Sequence, residues 1–146
     1  MHPCPLLTTG DTAFRPGPPQ ARPLVKTPGD AVDVVRPLLD GHDREVGVLV
    51  ALDTRHRVIA TRLVSVGTAA STFLAPREVY REALGLGASA IVVAHNHPSG
   101  DATPSDDDKR ITRRLASAGA TIGVELLDHV VLGDPEWSSL ARLGVC

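Results

Sequence analysis

Aromatic residues are scarce in this chain: one Trp, one Tyr and two Phe make up 3% of 146 residues. Platforms for stacking unpaired bases are therefore few. A basic excess is missing as well. The 15 Lys and Arg face 17 Asp and Glu, for a formal net charge of -2, which argues against a dedicated binder of phosphate backbones. The only cysteines, Cys4 and Cys146, lie at opposite ends with no CxxC spacing. That excludes a disulfide framework or a thiolate metal site and fits a reducing compartment. No apolar run approaches the ~20 residues of a membrane span, and the N-terminus has no signal-like stretch. A cytoplasmic protein without a membrane role is expected.

What is present divides in two. Residues 1–28 hold most of the twelve prolines and show no helical or strand period, so they read as a proline-rich flexible tail. From residue 29 to 146 the chain has the length and apolar content of one globular domain. "GDAVDVVRPLLDG" predicts a helix with Val32, Val35 and Leu39 on one side, interrupted or ended near Pro37. "EVGVLVALD" is an apolar run of the kind covered on both faces, and "VIATRLVSVG" forms a hairpin with it. "APREVYREALGLG" predicts a helix from Pro76 to Gly87. "ASAIVVA" is a further buried strand leading straight to His95. "SDDDKRITRRLASAG" predicts a helix capped by Ser105 and terminated by Gly119. A long strand in "TIGVELLDHVVLG" and a short closing helix in "PEWSSLARLG" complete the pattern. Alternating helices and strands imply an α/β fold with helices on a buried sheet.

The chemistry concentrates in "AHNHPSGDATPSDDDKR", residues 94–110. Residues two apart on extended chain point the same way, so His95 and His97 can aim both imidazoles at one point. Asp108 lies in the first turn of the following helix, where side chains lean back toward the preceding loop. Two imidazoles and a carboxylate with one open position is the arrangement of a catalytic zinc. Each part also has a plain structural reading. A lone HxH is commonly a satisfied polar pair, Ser105 and Asp108 fit a capping box, and Asp106, Asp107 and Asp108 complement a helix dipole. Glu45, opening the first buried strand, is a candidate base, or else a solvated strand-end carboxylate. Gly47 and Ala51 on its face leave room for another element or a substrate.

The pattern His95-x-His97, seven residues, Ser105, two residues, Asp108, with a glutamate upstream, resembles the JAMM (MPN+/JAB) metalloprotease motif. "HNHPSGDATPSDDD", "APREVYREAL" and "LLDHVVLG" resemble its bacterial RadC-like branch, over about residue 27 to the C-terminus. The resemblance implies a cytidine deaminase-like three-layer fold, a mixed β-sheet flanked by helices. It implies zinc (Zn2+) held by His95, His97 and Asp108, Glu45 as general acid/base, and Ser105 as donor to the developing oxyanion. The implied substrate is a peptide or protein carrying a peptide or isopeptide bond. Full-length RadC-like proteins carry an N-terminal helix-hairpin-helix region, where this chain has its proline-rich tail. The alternative is a DNA repair-associated protein, conceivably a metal-dependent nuclease.

Arg110, Arg113 and Arg114 share a helix face and read as its solvated side rather than a nucleic-acid contact. His129, beside Asp128 in a buried strand, reads as a core histidine with a satisfied hydrogen bond, with support of a metal ligand as the sharper option. Trp137 and Ser138 read as packing and capping residues.

Overall fold

A computed structural model describes residues 21–66 and 74–146. The expected tail lies outside the described residues up to position 20. Its last part, however, is built into the domain: Leu24 bridges Arg57, and Val25 is buried. Apolar Val25 gains more from that burial than from water.

Helix α1 spans Pro28–Leu39. Thr27 caps it, and Thr27 and Asp30 form a capping box. The helix ends at Leu39, two residues past Pro37, as expected. The Asp40 N–H closes its last turn on the Arg36 carbonyl. Strands β1 (Val46–Leu52) and β2 (Val58–Val66) form the expected hairpin. Helix α2 (Pro76–Gly85) buries Val79, Tyr80 and Ala83. Strand β3 covers Ala90–Asn96 and helix α3 Asp106–Ile122. Strands β4 (Glu125–Leu132) and β5 (Trp137–Ser139) follow.

Two helix-end expectations are corrected. Gly119 does not terminate α3, which continues to Ile122 and ends on left-handed Gly123. Gly119 instead admits Tyr80, whose hydroxyl would stand 2.4 Å from any Cβ there. The closing helix expected in "PEWSSLARLG" is absent. Its first half is β5, paired antiparallel to β4 through Val130–Ser139 and Leu132–Trp137. An unpaired β4 edge has a row of backbone groups to satisfy, and that outweighs the weak helical pattern. Trp137 packs against the core, and Ser138 donates to the Ala102 carbonyl rather than capping a helix.

The sheet order is β2-β1-β3-β4-β5. β1 is antiparallel to β2 and β3, while β3 is parallel to β4. This is a mixed sheet in a three-layer α/β fold. On one face α1 packs Val32, Val35 and Leu39 against Val48, Val50, Val92 and Val130. On the other, Val79, Tyr80 and Leu115 from α2 and α3 cover Leu49, Ile91 and Val93. Covered on both faces, β1 and β3 are buried along their whole length. The space expected over Gly47 is filled by Leu74, which would stand 2.8 Å from a Cβ at that position. No helix among the described residues is long and apolar enough to cross a membrane.

Candidate metal centre

Strand alternation decides which side chains meet. On β3, Ile91 and Val93 face the α2–α3 layer, so His95 does too. In the β1–β3 ladder Gly47 pairs with His95. Glu45, two residues before Gly47, therefore lies over the same face at the same end of the sheet. Asp108 arrives there from the first turn of α3.

His95 and His97 present their Nε2 atoms 3.1 Å apart. Asp108 Oδ1 lies 3.2 Å from His95 Nε2, and its Oδ2 lies 3.2 Å from His97 Nε2. Glu45 Oε1 stands further back, 3.9 Å from His95 Nε2 and 3.7 Å from His97 Nε2. Among the described residues, Glu45, His95 and His97 can hold a metal ion, their ligand atoms lying within 4.8 Å of one another. Asp108 places one carboxylate oxygen beside each imidazole, Oδ1 by His95 and Oδ2 by His97. Tetrahedral ligands at about 2.0–2.1 Å from zinc stand about 3.3 Å from each other. The separate contacts of the two Asp108 oxygens and the His95–His97 contact are close to that edge, while the single Glu45 oxygen stands further from both rings. The donor set thus fits a divalent metal ion.

Local structure aims each group. The His97 backbone N–H bonds the Leu132 carbonyl, and Gly100 N–H closes a turn on the His97 carbonyl. His97 Nδ1 lies 2.8 Å from the Asp101 carbonyl. A carbonyl only accepts, so Nδ1 carries the proton and the neutral ring keeps a lone pair on Nε2. Gly133 fits tightly under this loop, since a Cβ there would come within 2.3 Å of the Gly100 carbonyl. A cavity of about 140 Å³ opens beside His97, with His42, Asn96, Pro98 and Asp134 in its wall.

Ser105 and Asp108 form the expected capping box. Ser105 Oγ accepts from Asp108 N–H at 3.0 Å, and Asp108 Oδ2 accepts from Ser105 N–H at 2.9 Å. The capping and ligand readings coincide, because the box itself turns the Asp108 carboxylate toward the imidazoles. Exposed Ser105 still has its hydroxyl proton to give.

Charge follows the geometry. Burial pushes the Asp108 carboxyl up, but the hydrogen bonds that protonated His95 and His97 make to it outweigh burial and hold the group far below the usual range. The hydrogen bond that a protonated His97 makes to Asp108 raises it above an ordinary histidine. Burial drives His129 well below one.

Two further groups join the site. Asn96 lies between the two histidines and points to the opposite face. Its Oδ1 accepts from Val46 N–H at 2.6 Å and its Nδ2 donates to the Arg44 carbonyl at 2.8 Å. It clamps the backbone on both sides of Glu45. Its position between two same-face residues was the available signal, though nothing local names the partner. His129 is the core histidine with satisfied hydrogen bonds that was expected, and its partner is a site residue: its Nε2 lies 2.8 Å from His95 Nδ1. The arginine stripe is exposed, with Arg110 paired to Asp107.

Residues 25–145 match the model of the RadC-like JAB domain. A UPF0758 protein of Desulfitobacterium hafniense is 40% identical over 127 residues, covering 87% of this chain and 56% of that protein. One from Rubrobacter xylanophilus is 43% identical over 117 residues, covering 80% of this chain and 52% of its own. One from Burkholderia mallei is 44% identical over 123 residues, covering 84% and 44% respectively. The chain spans about half the length of these curated relatives.

Proposed function

The chain belongs to the RadC-like JAB domain family, and from that premise we propose that it is a zinc-dependent metallopeptidase or isopeptidase. The observation that carries this reading is the 3.1–3.2 Å spacing of His95 Nε2, His97 Nε2 and the Asp108 carboxylate oxygens. Glu45 stands just beyond them.

His95, His97 and Asp108 would hold the metal. When bound, zinc supplies Lewis acidity, polarising a carbonyl and acidifying water. Glu45 accepts the proton that water loses as its oxygen adds to the substrate carbonyl carbon. The Ser105 hydroxyl donates to the carbonyl oxygen as negative charge develops there. The Glu45 carboxyl then passes its proton to the departing amine nitrogen as the C–N bond breaks. One water is consumed, and a carboxylic acid and an amine are released.

The test compares zinc-loaded wild type, Glu45→Gln and His97→Ala on peptides, on lysine-ε-linked isopeptide conjugates and on DNA. Amide cleavage by wild type, lost in both variants while Glu45→Gln keeps its metal, is the expected result. Metal-dependent DNA cleavage abolished by His97→Ala, without amide cleavage, would replace this reading with the nuclease one.

A further inference from the structure

We infer that His129 is a positioning residue: through Thr112 it fixes which nitrogen of His95 carries the proton, and so turns the His95 lone pair toward the metal position. The inference rests on the proposed metal reading for its purpose, but not for its geometry.

The hydrogen bonds can be followed from a fixed end. Thr112 Oγ1 donates to the Asp108 carbonyl at 2.7 Å. A carbonyl has no proton to give, so the single Thr112 hydroxyl proton lies in that gap. His129 Nδ1 lies 2.6 Å from Thr112 Oγ1. With its proton used, Thr112 can only accept there, so Nδ1 of His129 is the protonated nitrogen. In a neutral ring the other nitrogen, Nε2, then holds a lone pair. His129 Nε2 lies 2.8 Å from His95 Nδ1, so His95 donates from Nδ1. Its Nε2 consequently presents a lone pair toward His97 and Asp108. Each gap holds one proton, and the order is set by the backbone carbonyl at the far end.

Position in the fold supports this. His129 pairs in register with Val93 on β3, which puts it on the same sheet face as His95. His95, Thr112 and His129 are all 0% exposed, so no water competes for these contacts. Thr112 follows Asp108 by one helical turn. The residue whose carboxylate enters the site therefore also supplies, through its carbonyl, the reference for the His95 ring. His97 reaches the same tautomer by the shorter route to the Asp101 carbonyl. Partners that orient a ligating imidazole are worth about 10–100-fold in metal affinity.

The experiment measures two things on the full chain: the His95 tautomer by nitrogen-15 NMR of the metal-free protein, and zinc affinity by competition with a chelator. Wild type should show His95 protonated at Nδ1. Thr112→Val keeps the side-chain shape but removes the hydroxyl. It should give a mixture of His95 tautomers and weaker zinc binding, and Thr112→Ser should restore both. His129→Leu should weaken zinc binding by about 10–100-fold, with His129→Gln, which keeps an acceptor, falling between. Wild-type His95 protonated at Nε2, or a Thr112→Val variant matching wild type in both measurements, would overturn the inference. A wild type with the Nδ1 tautomer but no zinc affinity would instead refute the metal reading and leave the relay standing. Thr112→Val also serves if His129→Leu fails to fold.

Discussion

Two helices of this chain begin with the same device. At α1, Thr27 accepts from Asp30 N–H at 3.2 Å and Asp30 accepts from Thr27 N–H at 3.0 Å. At α3, Ser105 and Asp108 repeat the pattern at 3.0 and 2.9 Å. Even the direction of the carboxyl shift agrees. Asp30 is lowered mainly by the backbone N–H groups of Lys26 and Thr27. Asp108 is lowered against its own burial by two imidazoles. The difference lies in what other elements bring. The first box stands at the surface, while the second is roofed by β3 so that Asp108 is 5% exposed. A capping box is a way of aiming a carboxylate, and the surroundings decide whether the aim has a target.

The largest expected effect separates the two boxes directly. Asp108→Asn keeps an oxygen for the Ser105 N–H but removes the charged ligand. It should abolish stoichiometric zinc binding with helicity retained, whereas Asp30→Asn should leave zinc content at the wild-type level. Elemental analysis and far-ultraviolet circular dichroism on both variants check this. Equal zinc content in the two would erase the distinction.

Next in size is Glu45→Gln. The amide is nearly isosteric but cannot take a proton, so amide hydrolysis should fall by about 100-fold or more while zinc affinity changes little. A steady-state assay beside a metal titration reads both. A comparable loss of zinc affinity would make Glu45 a ligand rather than a proton carrier.

Acid should also act on the two boxes at different points. His97 is raised, chiefly by its hydrogen bond to Asp108, so as pH falls it protonates above the ordinary histidine value and competes with metal. Zinc affinity should therefore be full at alkaline pH and decline before an unperturbed histidine would titrate. Asp30 is lowered, so its contribution to α1 is complete above the ordinary carboxylate value and is lost only as pH falls through the lower one. Chelator competition across a pH series, beside denaturation at the same pH values, should show metal release well before α1 weakens. The smallest effect is Thr27→Ala, which should cost about 1 kcal/mol of stability in urea denaturation and leave zinc affinity alone.

Much of this site could be read from the sequence because its parts are close together. The i, i+2 spacing of His95 and His97, the short loop and the helix start at Ser105 confine the outcome within a few residues. Glu45 depended on family resemblance, since only the β1–β3 register brings it over His95. The Thr112–His129 link was illegible for the same reason: it joins a helix to a strand through tertiary packing. Elsewhere, the period of β1 and β3 announced burial on both faces, but "PEWSSLARLG" carried too little pattern to reveal that β4 needed a partner. Pro37 marked the end of α1 to within two residues, because a proline removes a helical donor and crowds the preceding turn.

Asn96 adds something that a static distance does not express. It grips the carbonyl before Glu45 and the N–H after it from a position between the two histidines. Any breathing at that end of the sheet must then carry the carboxylate and the imidazoles together, as one piece. Amide exchange at Val46 should accordingly be as slow as in the middle of β1, making the mouth of the site as rigid as its floor.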